Sequence, residues 1–241
     1  MKAMILAAGL GTRLKEHTQD KPKALVEVEG RTLLAYVLEK LVEAGFNEVV
    51  VNVHHFADLI VEYIESRDFG IKIHISDESS RLLNTGGGIL KAKHFLDGNE
   101  PFLVHNVDIL SDINLKQLID FHSQGDSLAT LAVGDRKSSR KFLFDEQMRL
   151  SGWRNTITDK VIIPDSTRTN ITEFAFAGIH VISPEIFNLI HTKGPFSIVD
   201  AYLSLCSKHS ILGFDTTQNF VLDIGKVPSL EAAKEYLQNI N

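Results

Sequence analysis

The sequence predicts an α/β protein with a mostly parallel, Rossmann-like sheet covered by helices on both faces. Three observations predict it. Runs such as Glu48-Val-Val-Val-Asn-Val53 are nearly continuous in β-branched residues, as strands buried on both faces are. Between such runs, apolar residues recur at helical spacing, as at Leu34, Val37, Leu38 and Leu41. Strand alternating with helix at this interval argues for parallel strands joined by crossover helices. The chain has 241 residues, 44% hydrophobic and 23% charged, which suits one large globular domain over residues 1–241.

The first strand is the short apolar run Ala3-Met4-Ile5-Leu6. The loop behind it, Ala7-Ala8-Gly9-Leu10-Gly11-Thr12-Arg13, carries two glycines one residue apart. Glycine allows a tight turn and a close approach to a ligand. Amides in such a turn can converge on an anion, and Arg13 can grip phosphate oxygens with two donors. Lys15, Lys21 and Lys23 add positive charge nearby. The segment reads as a phosphate-handling loop, or else as a plain strand-to-helix turn with solvated cations. It is not a Walker A loop, which needs Gly-Lys-Ser/Thr. A dinucleotide fingerprint fails too, because Leu14 stands where a third glycine is required and Lys21-Pro22-Lys23 breaks the helix that should follow.

Thr32 can cap the first helix, and Gly45 can stop it. After the strand ending at Val53, His54 and His55 read as a loop pair, since no third ligand stands at metal spacing. A second helix bears Leu59, Ile60, Tyr63 and Ile64; Ile71, Ile73 and Ile75 alternate as a third strand. Then Thr85-Gly86-Gly87-Gly88 opens a helix, either as bare backbone against which a flat group can lie or as a flexible turn.

Pro101-Phe-Leu-Val104 reads as a central strand leading into His105-Asn106-Val107-Asp108. A carboxylate there stands over the crevice where open α/β sheets bind ligands. Mg²⁺ bridging a nucleotide takes only one or two carboxylates besides phosphates and water. Asp108 suits that need, or it caps the segment that follows. From roughly 134 to 171 short alternations replace the βα rhythm, marking an insert that contains the lone Trp153. That ring stacks on a ligand or packs in the core. Phe174–Val181 returns to strand, Ser183-Pro184 opens a helix, and Phe220–Gly225 precedes a closing helix. Asp108 and Asp223 both follow apparent strands, so parallel topology is expected to bring them to one sheet edge.

Net charge is -6, which gives no support to nucleic-acid binding. Cys206 is the single cysteine and sits in an apolar run, so a reducing compartment and core packing are expected. No apolar run of about 18 residues occurs; a cytoplasmic chain without membrane contact is expected. No pattern for an oligomer is legible.

The pattern G-x-G-T-R-L followed by T-x-x-x-P-K-x-L, from Gly9 to Leu25, resembles the signature of the sugar-1-phosphate nucleotidyltransferases. Leu83-x-Thr85-Gly-Gly-Gly88, Asn106-x-Asp108 and Asp223-x-Gly225 resemble further family segments, so the likeness spans nearly the whole chain. The resemblance implies that a nucleoside triphosphate and a sugar 1-phosphate become a nucleotide sugar and pyrophosphate, with Mg²⁺ held by Asp108 and Asp223. It implies nucleotide contacts from Leu6, Ala7, Ala8, Gly9, Gly11, Thr12, Arg13, Thr85, Gly87 and Gly88. Lys23, Asn106, Asn155, Glu173 and Gly178 are implied on the sugar-phosphate side, where the insert closes over the sugar. Arg13, Lys23 and Asp108 are the implied catalytic set. Glu16 departs from a proline that many members carry, and Lys226 from a threonine.

The L-x-T-G-G-G segment is similar in mannose-1-phosphate guanylyltransferases and N-acetylmuramate-1-phosphate uridylyltransferases. GTP with mannose 1-phosphate, or a related hexose or heptose phosphate, is the first expectation; UTP with N-acetylmuramate 1-phosphate is the second. A catalytically silent nucleotide-sugar-binding subunit would tolerate loss of Lys23, Asp108 or Asp223, and all three are present. A nicotinamide oxidoreductase is opposed by Leu14 and by the lack of an acid at the end of the second strand.

Overall fold

The computed structural model describes residues 1–164 and 169–240, without the side chains of Lys15, Glu16 and Ile240. The departure at Glu16 and part of the insert therefore lie outside the described residues. In chain order, β1 (Lys2–Leu6) leads through two 3-10 turns, Thr12–Thr18 and Lys23–Leu25, to the short pair β2 (Glu27–Val28) and β3 (Arg31–Thr32). Next come α1 (Leu33–Glu43), β4 (Glu48–Val53), α2 (Ala57–Glu65), β5 (Lys72–Asp77), α3 (Asn84–Lys91) and α4 (Lys93–Leu96). The middle of the chain forms β6 (Phe102–Asn106), β7 (Ile109–Ser111), α5 (Leu115–Ser123) and β8 (Ala129–Gly134). Then follow β9 (Arg140–Phe144), β10 (Leu150–Asn155), β11 (Lys160–Ile162) and the long β12 (Thr172–Ile182). The chain closes with α6 (Ile186–Leu189), α7 (Ile198–Leu205), β13 (Ile211–Asp215), β14 (Val221–Asp223) and α8 (Val227–Ile240).

The strands β5-β4-β1-β6 run parallel, β12 follows antiparallel to β6, and β8 and β13 complete the sheet. The insert strands β9, β10 and β11 form an antiparallel sheet that continues from the first half of β12. Strand alternation sorts the side chains. Ala3 and Ile5 face one apolar cluster beneath α1, α2 and α5, while Met4 faces another beneath α3, α4 and α7. Each fully buried leucine or isoleucine in these layers contributes about 1.5–3 kcal/mol. Thr32 caps α1 by accepting from the amide of Ala35 at 3.1 Å.

A third cluster unites Leu14, Val26, Val28 and Leu33 with Ile224, Leu230, Ala233 and Leu237. It packs the loop after β1 against β14 and α8, which the spacing of the sequence does not reveal.

Some local expectations fall differently. The three glycines lie inside the first turns of α3, which starts at Asn84. Ser183 does not cap its helix through its side chain: its hydroxyl donates to the carbonyl of Ser127 at 2.8 Å. Trp153 lies on β10 and packs against the apolar core. Cys206 is also core. No helix among the described residues is long and apolar enough to cross a membrane.

Candidate active site

A cavity of about 230 Å³ opens at the C-terminal edge of β1, β4 and β6. Leu6, Ala7, Ala8 and Gly9 form one wall, Thr85 another, and Lys23, Asn106 and Asp108 stand together at one side. This is the crevice where parallel α/β sheets bind ligands, because strand ends and helix starts meet there.

The wall from Leu6 to Gly9 is fixed from below. Asn52, buried on β4, accepts from the amides of Ala7 at 2.7 Å and Ala8 at 3.3 Å. Those two amides are therefore spoken for, and anion-facing donors must come from residues further along the loop. The same carboxamide donates to Glu78 Oε1 at 2.7 Å, and Glu78 Oε2 accepts from the amide of Leu83 at 2.9 Å. A wholly buried carboxylate thus ties the loop after β1 to the turn before α3. Sequence reasoning missed this pair. The one signal was Asn52 itself, a polar residue inside a run otherwise buried and apolar.

The glycines of α3 face protein. A Cβ on Gly87 would stand 2.8 Å from the carbonyl oxygen of Gly194, and one on Gly88 would stand 2.7 Å from Glu78 Oε1. Close packing, rather than an open shelf, demands glycine at both positions. Thr85 lines the cavity while its hydroxyl oxygen accepts from the amide of Ile198 at 3.0 Å.

Lys23 sits on the second 3-10 turn, buried, and forms an ion pair with the carboxylate of Asp108. Asp223 approaches from β14. The expected route, two parallel strand ends, is not the one taken. Asp108 is followed by β7 instead of a helix, and β14 pairs with β7 in an antiparallel ribbon that sets Asp223 opposite Ile109. Arg13 arrives through the third cluster, since its neighbour Leu14 and Asp223's neighbour Ile224 are buried together. A Cβ on Gly225 would stand 2.9 Å from Arg13 Nη2 and 2.6 Å from Asp223 Oδ1. Loss of solvation raises the pKa of the Asp223 carboxyl, Asp108 raises it further, and Lys23, Arg13 and Arg136 oppose both. Two acids thus repel across a small gap flanked by three cations. A hard divalent cation that also takes phosphate and water oxygens fits this two-carboxylate donor set.

On the β12 side, Gly178 adopts φ +76°, and a Cβ there would stand 2.7 Å from Asn106 Nδ2. The glycine makes room for the Asn106 carboxamide. Asn155 turns its carboxamide oxygen to its own loop, accepting from Ile157 at 2.9 Å and Thr158 at 3.3 Å. Glu173 accepts from Arg154 at 3.1 Å and lines a separate cavity of about 340 Å³ on the insert. These two are not brought to the cavity of Lys23 and Asp108. His54 Nδ1 is 2.7 Å from the carbonyl oxygen of Glu78, a satisfied loop histidine. A larger cavity of about 610 Å³, lined by Lys40, His105, Ser111 and Tyr236, holds neither Lys23 nor either acid.

Comparison with known proteins adds to this geometry. The pattern of the family described as nucleotidyl transferase matches residues 2–239. The N-acetylmuramate alpha-1-phosphate uridylyltransferase of Caulobacter vibrioides is 33% identical over 219 residues, 88% of this chain and 86% of that protein. The mannose-1-phosphate guanylyltransferase catalytic subunit beta of Dictyostelium discoideum is 30% identical over 94% of this chain, which spans 61% of that longer protein. In structure, HddC from Yersinia pseudotuberculosis complexed with GMP-PN superposes with TM-score 0.77 at 22% identity, covering 98% of this chain and 99% of its own.

Proposed function

The chain belongs to the nucleotidyl transferase family as a sugar-1-phosphate nucleotidyltransferase, and we propose that it joins GTP to mannose 1-phosphate or a related hexose or heptose 1-phosphate. The observation that carries the chemistry is the convergence of Lys23, Arg13, Asp108 and Asp223 beside the cavity walled by Leu6–Gly9. Guanylyltransferases matched across nearly all of this chain support the choice of base and sugar. UTP with N-acetylmuramate 1-phosphate is the second reading, favoured by the 33% identical relative that this chain matches over 86% of its length.

An oxygen of the sugar phosphate attacks the α-phosphorus, the new P–O bond forms, and the bond to the β-phosphate breaks to release pyrophosphate. The nucleophile is already anionic and needs no base. The protein's task is alignment and neutralisation of charge. The triphosphate lies along the loop from Leu6 to Arg13, with its base between that loop and Thr85 at the start of α3. Arg13 holds the leaving pyrophosphate with paired donors. Lys23 leaves Asp108 for the phosphates at the reacting centre. Asn106 and Gly178 border the sugar phosphate, while Asn155, on the insert of roughly 134–171, and Glu173, on the adjoining start of β12, close over the sugar. Asp108 and Asp223 would hold Mg²⁺, which supplies charge neutralisation at the α-phosphate.

A matrix of triphosphates against sugar 1-phosphates, read by pyrophosphate release, tests this. Turnover is expected with GTP and a mannose-type phosphate. Turnover only with UTP and N-acetylmuramate 1-phosphate selects the second reading, and no turnover with any pair rejects both.

A further inference from the structure

We propose that Arg136 binds the phosphate of the sugar 1-phosphate, as a cation supplied by the loop that leaves β8. The inference rests on the sugar 1-phosphate reading above and adds to it a residue that no sequence motif marked.

The local geometry is specific. β12 pairs with β8 in regular register up to Phe176, slips, and resumes at His180. Gly178 lies in that bulge with φ +76°. The guanidinium of Arg136 donates through Nη2 to the carbonyl oxygen of Phe176, on one flank of the bulge. Asn106 packs its carboxamide against Gly178 on the other. Asn106 is also two positions from Asp108, so the bulge adjoins the acid pair. The backbone of Arg136 is anchored too. Its own amide donates to the carbonyl of Gly134 at 3.0 Å, and Lys141 Nζ donates to its carbonyl oxygen at 2.8 Å.

An arginine has five N–H donors in a planar fork. Here the buried Nε–H has no hydrogen-bond partner. A shielded, unpaired donor on a cation is expensive unless an anion arrives to take it. Burial pushes the guanidinium pKa down while nearby Asp223 pulls it up, in keeping with a half-buried cation close to the acid pair. Sheet order says which anion. The strands run β1-β6-β12-β8, so the triphosphate loop lies on the β1 side of Asp108 and Arg136 on the far side, beyond β12. The group that enters there is the second phosphate of an in-line reaction, a phosphomonoester dianion. The bland reading makes Arg136 only a cap for the carbonyl that the bulge frees.

The experiment compares Arg136→Gln and Arg136→Lys with the parent protein. One or two charge-assisted hydrogen bonds to phosphate predict a rise in KM for the sugar 1-phosphate of about tenfold to a hundredfold in the glutamine variant. The lysine variant should fall between, because it keeps charge and loses the fork. KM for the triphosphate should stay within about twofold of the parent. A cap alone predicts lower melting temperature with both KM values moved together or neither moved. A second arm needs no turnover: inorganic phosphate should raise the melting temperature of the parent more than that of Arg136→Gln. Equal phosphate shifts, or a rise confined to the triphosphate KM, would overturn the assignment. Absence of turnover with every sugar phosphate would reject the substrate reading, while the phosphate arm still decides Arg136.

Discussion

The amide of Ile224 donates at 2.8 Å to the backbone carbonyl of Asp108, and this bond extends the β7–β14 ribbon that seats the β14 acid beside the acid following β6. Asp223 stands opposite Ile109 in the same ribbon. The two carboxylates come from opposite halves of the chain, yet backbone pairing, not flexible loops, sets their spacing. Rigid spacing suits a shared cation, since a divalent ion rewards fixed oxygen donors.

A shared ion predicts strong coupling. Asp108→Asn and Asp223→Asn should each nearly abolish pyrophosphate release at saturating Mg²⁺, and the double variant should be little worse than either. Additive, modest losses would mean that each acid acts alone.

Lys23 is buried against Asp108, and the proposed mechanism has it act on phosphate charge during the reaction. Lys23→Ala should lower kcat by roughly a hundredfold or more. Lys23→Arg should rescue poorly, because an ammonium point charge and a planar fork differ in donor geometry. A near-normal kcat in the alanine variant removes Lys23 from the mechanism.

Gly87 should respond as a packing residue. Its Cβ would meet the carbonyl oxygen of Gly194 at 2.8 Å, and backbone cannot swing aside as a side-chain tip can. Gly87→Ala should lose about 1–3 kcal/mol in chemical denaturation, by overpacking. Unchanged stability with a raised triphosphate KM would instead place the base directly on that backbone.

Gly178→Ala combines two penalties, φ +76° and a contact of 2.7 Å with Asn106 Nδ2. A destabilisation of about 1–3 kcal/mol is expected, together with a raised KM for the sugar phosphate as Asn106 is displaced. Full stability and unaltered KM would show that the bulge yields freely.

Three histidines set the acid limit. Burial holds His105 and His122 at about 4 and His180 at about 3, below the ordinary 6.5. Between about pH 6.5 and 4 the unfolded chain therefore binds more protons than the native one, and stability falls as pH falls through that window. Each site contributes a slope of up to about 1.4 kcal/mol per pH unit. Denaturant midpoints at pH 7.5 and 5 measure the drop. His122→Gln should flatten it, and an unchanged slope would exclude His122 as a source.

Much of this was legible in the linear chain because the chemistry uses contiguous backbone. Ala7 to Gly9, Thr85 and Asn106-x-Asp108 each occupy one strand end or helix start, so spacing alone pointed to the crevice that they line. Helix and strand periods, and hence the α/β class, were equally local. What the chain did not disclose are meetings between distant residues. Asn52 with Glu78, Arg136 with the carbonyl of Phe176, and Arg13 with Asp223 each join segments that no repeat or spacing links. Asp108 and Asp223 do come close, but a two-strand ribbon and not parallel strand ends brings them together. The amino-acid order by itself determined the elements, the loops able to approach phosphate, and the two acids suited to a hard cation. Only the tertiary structure decided which donors stay free, which cations face the acids, and why the glycines are glycines. The physical reason is that periodicity reports which face of an element is buried, whereas the partner across that face is chosen by packing shape and by the need of every buried polar group for a mate.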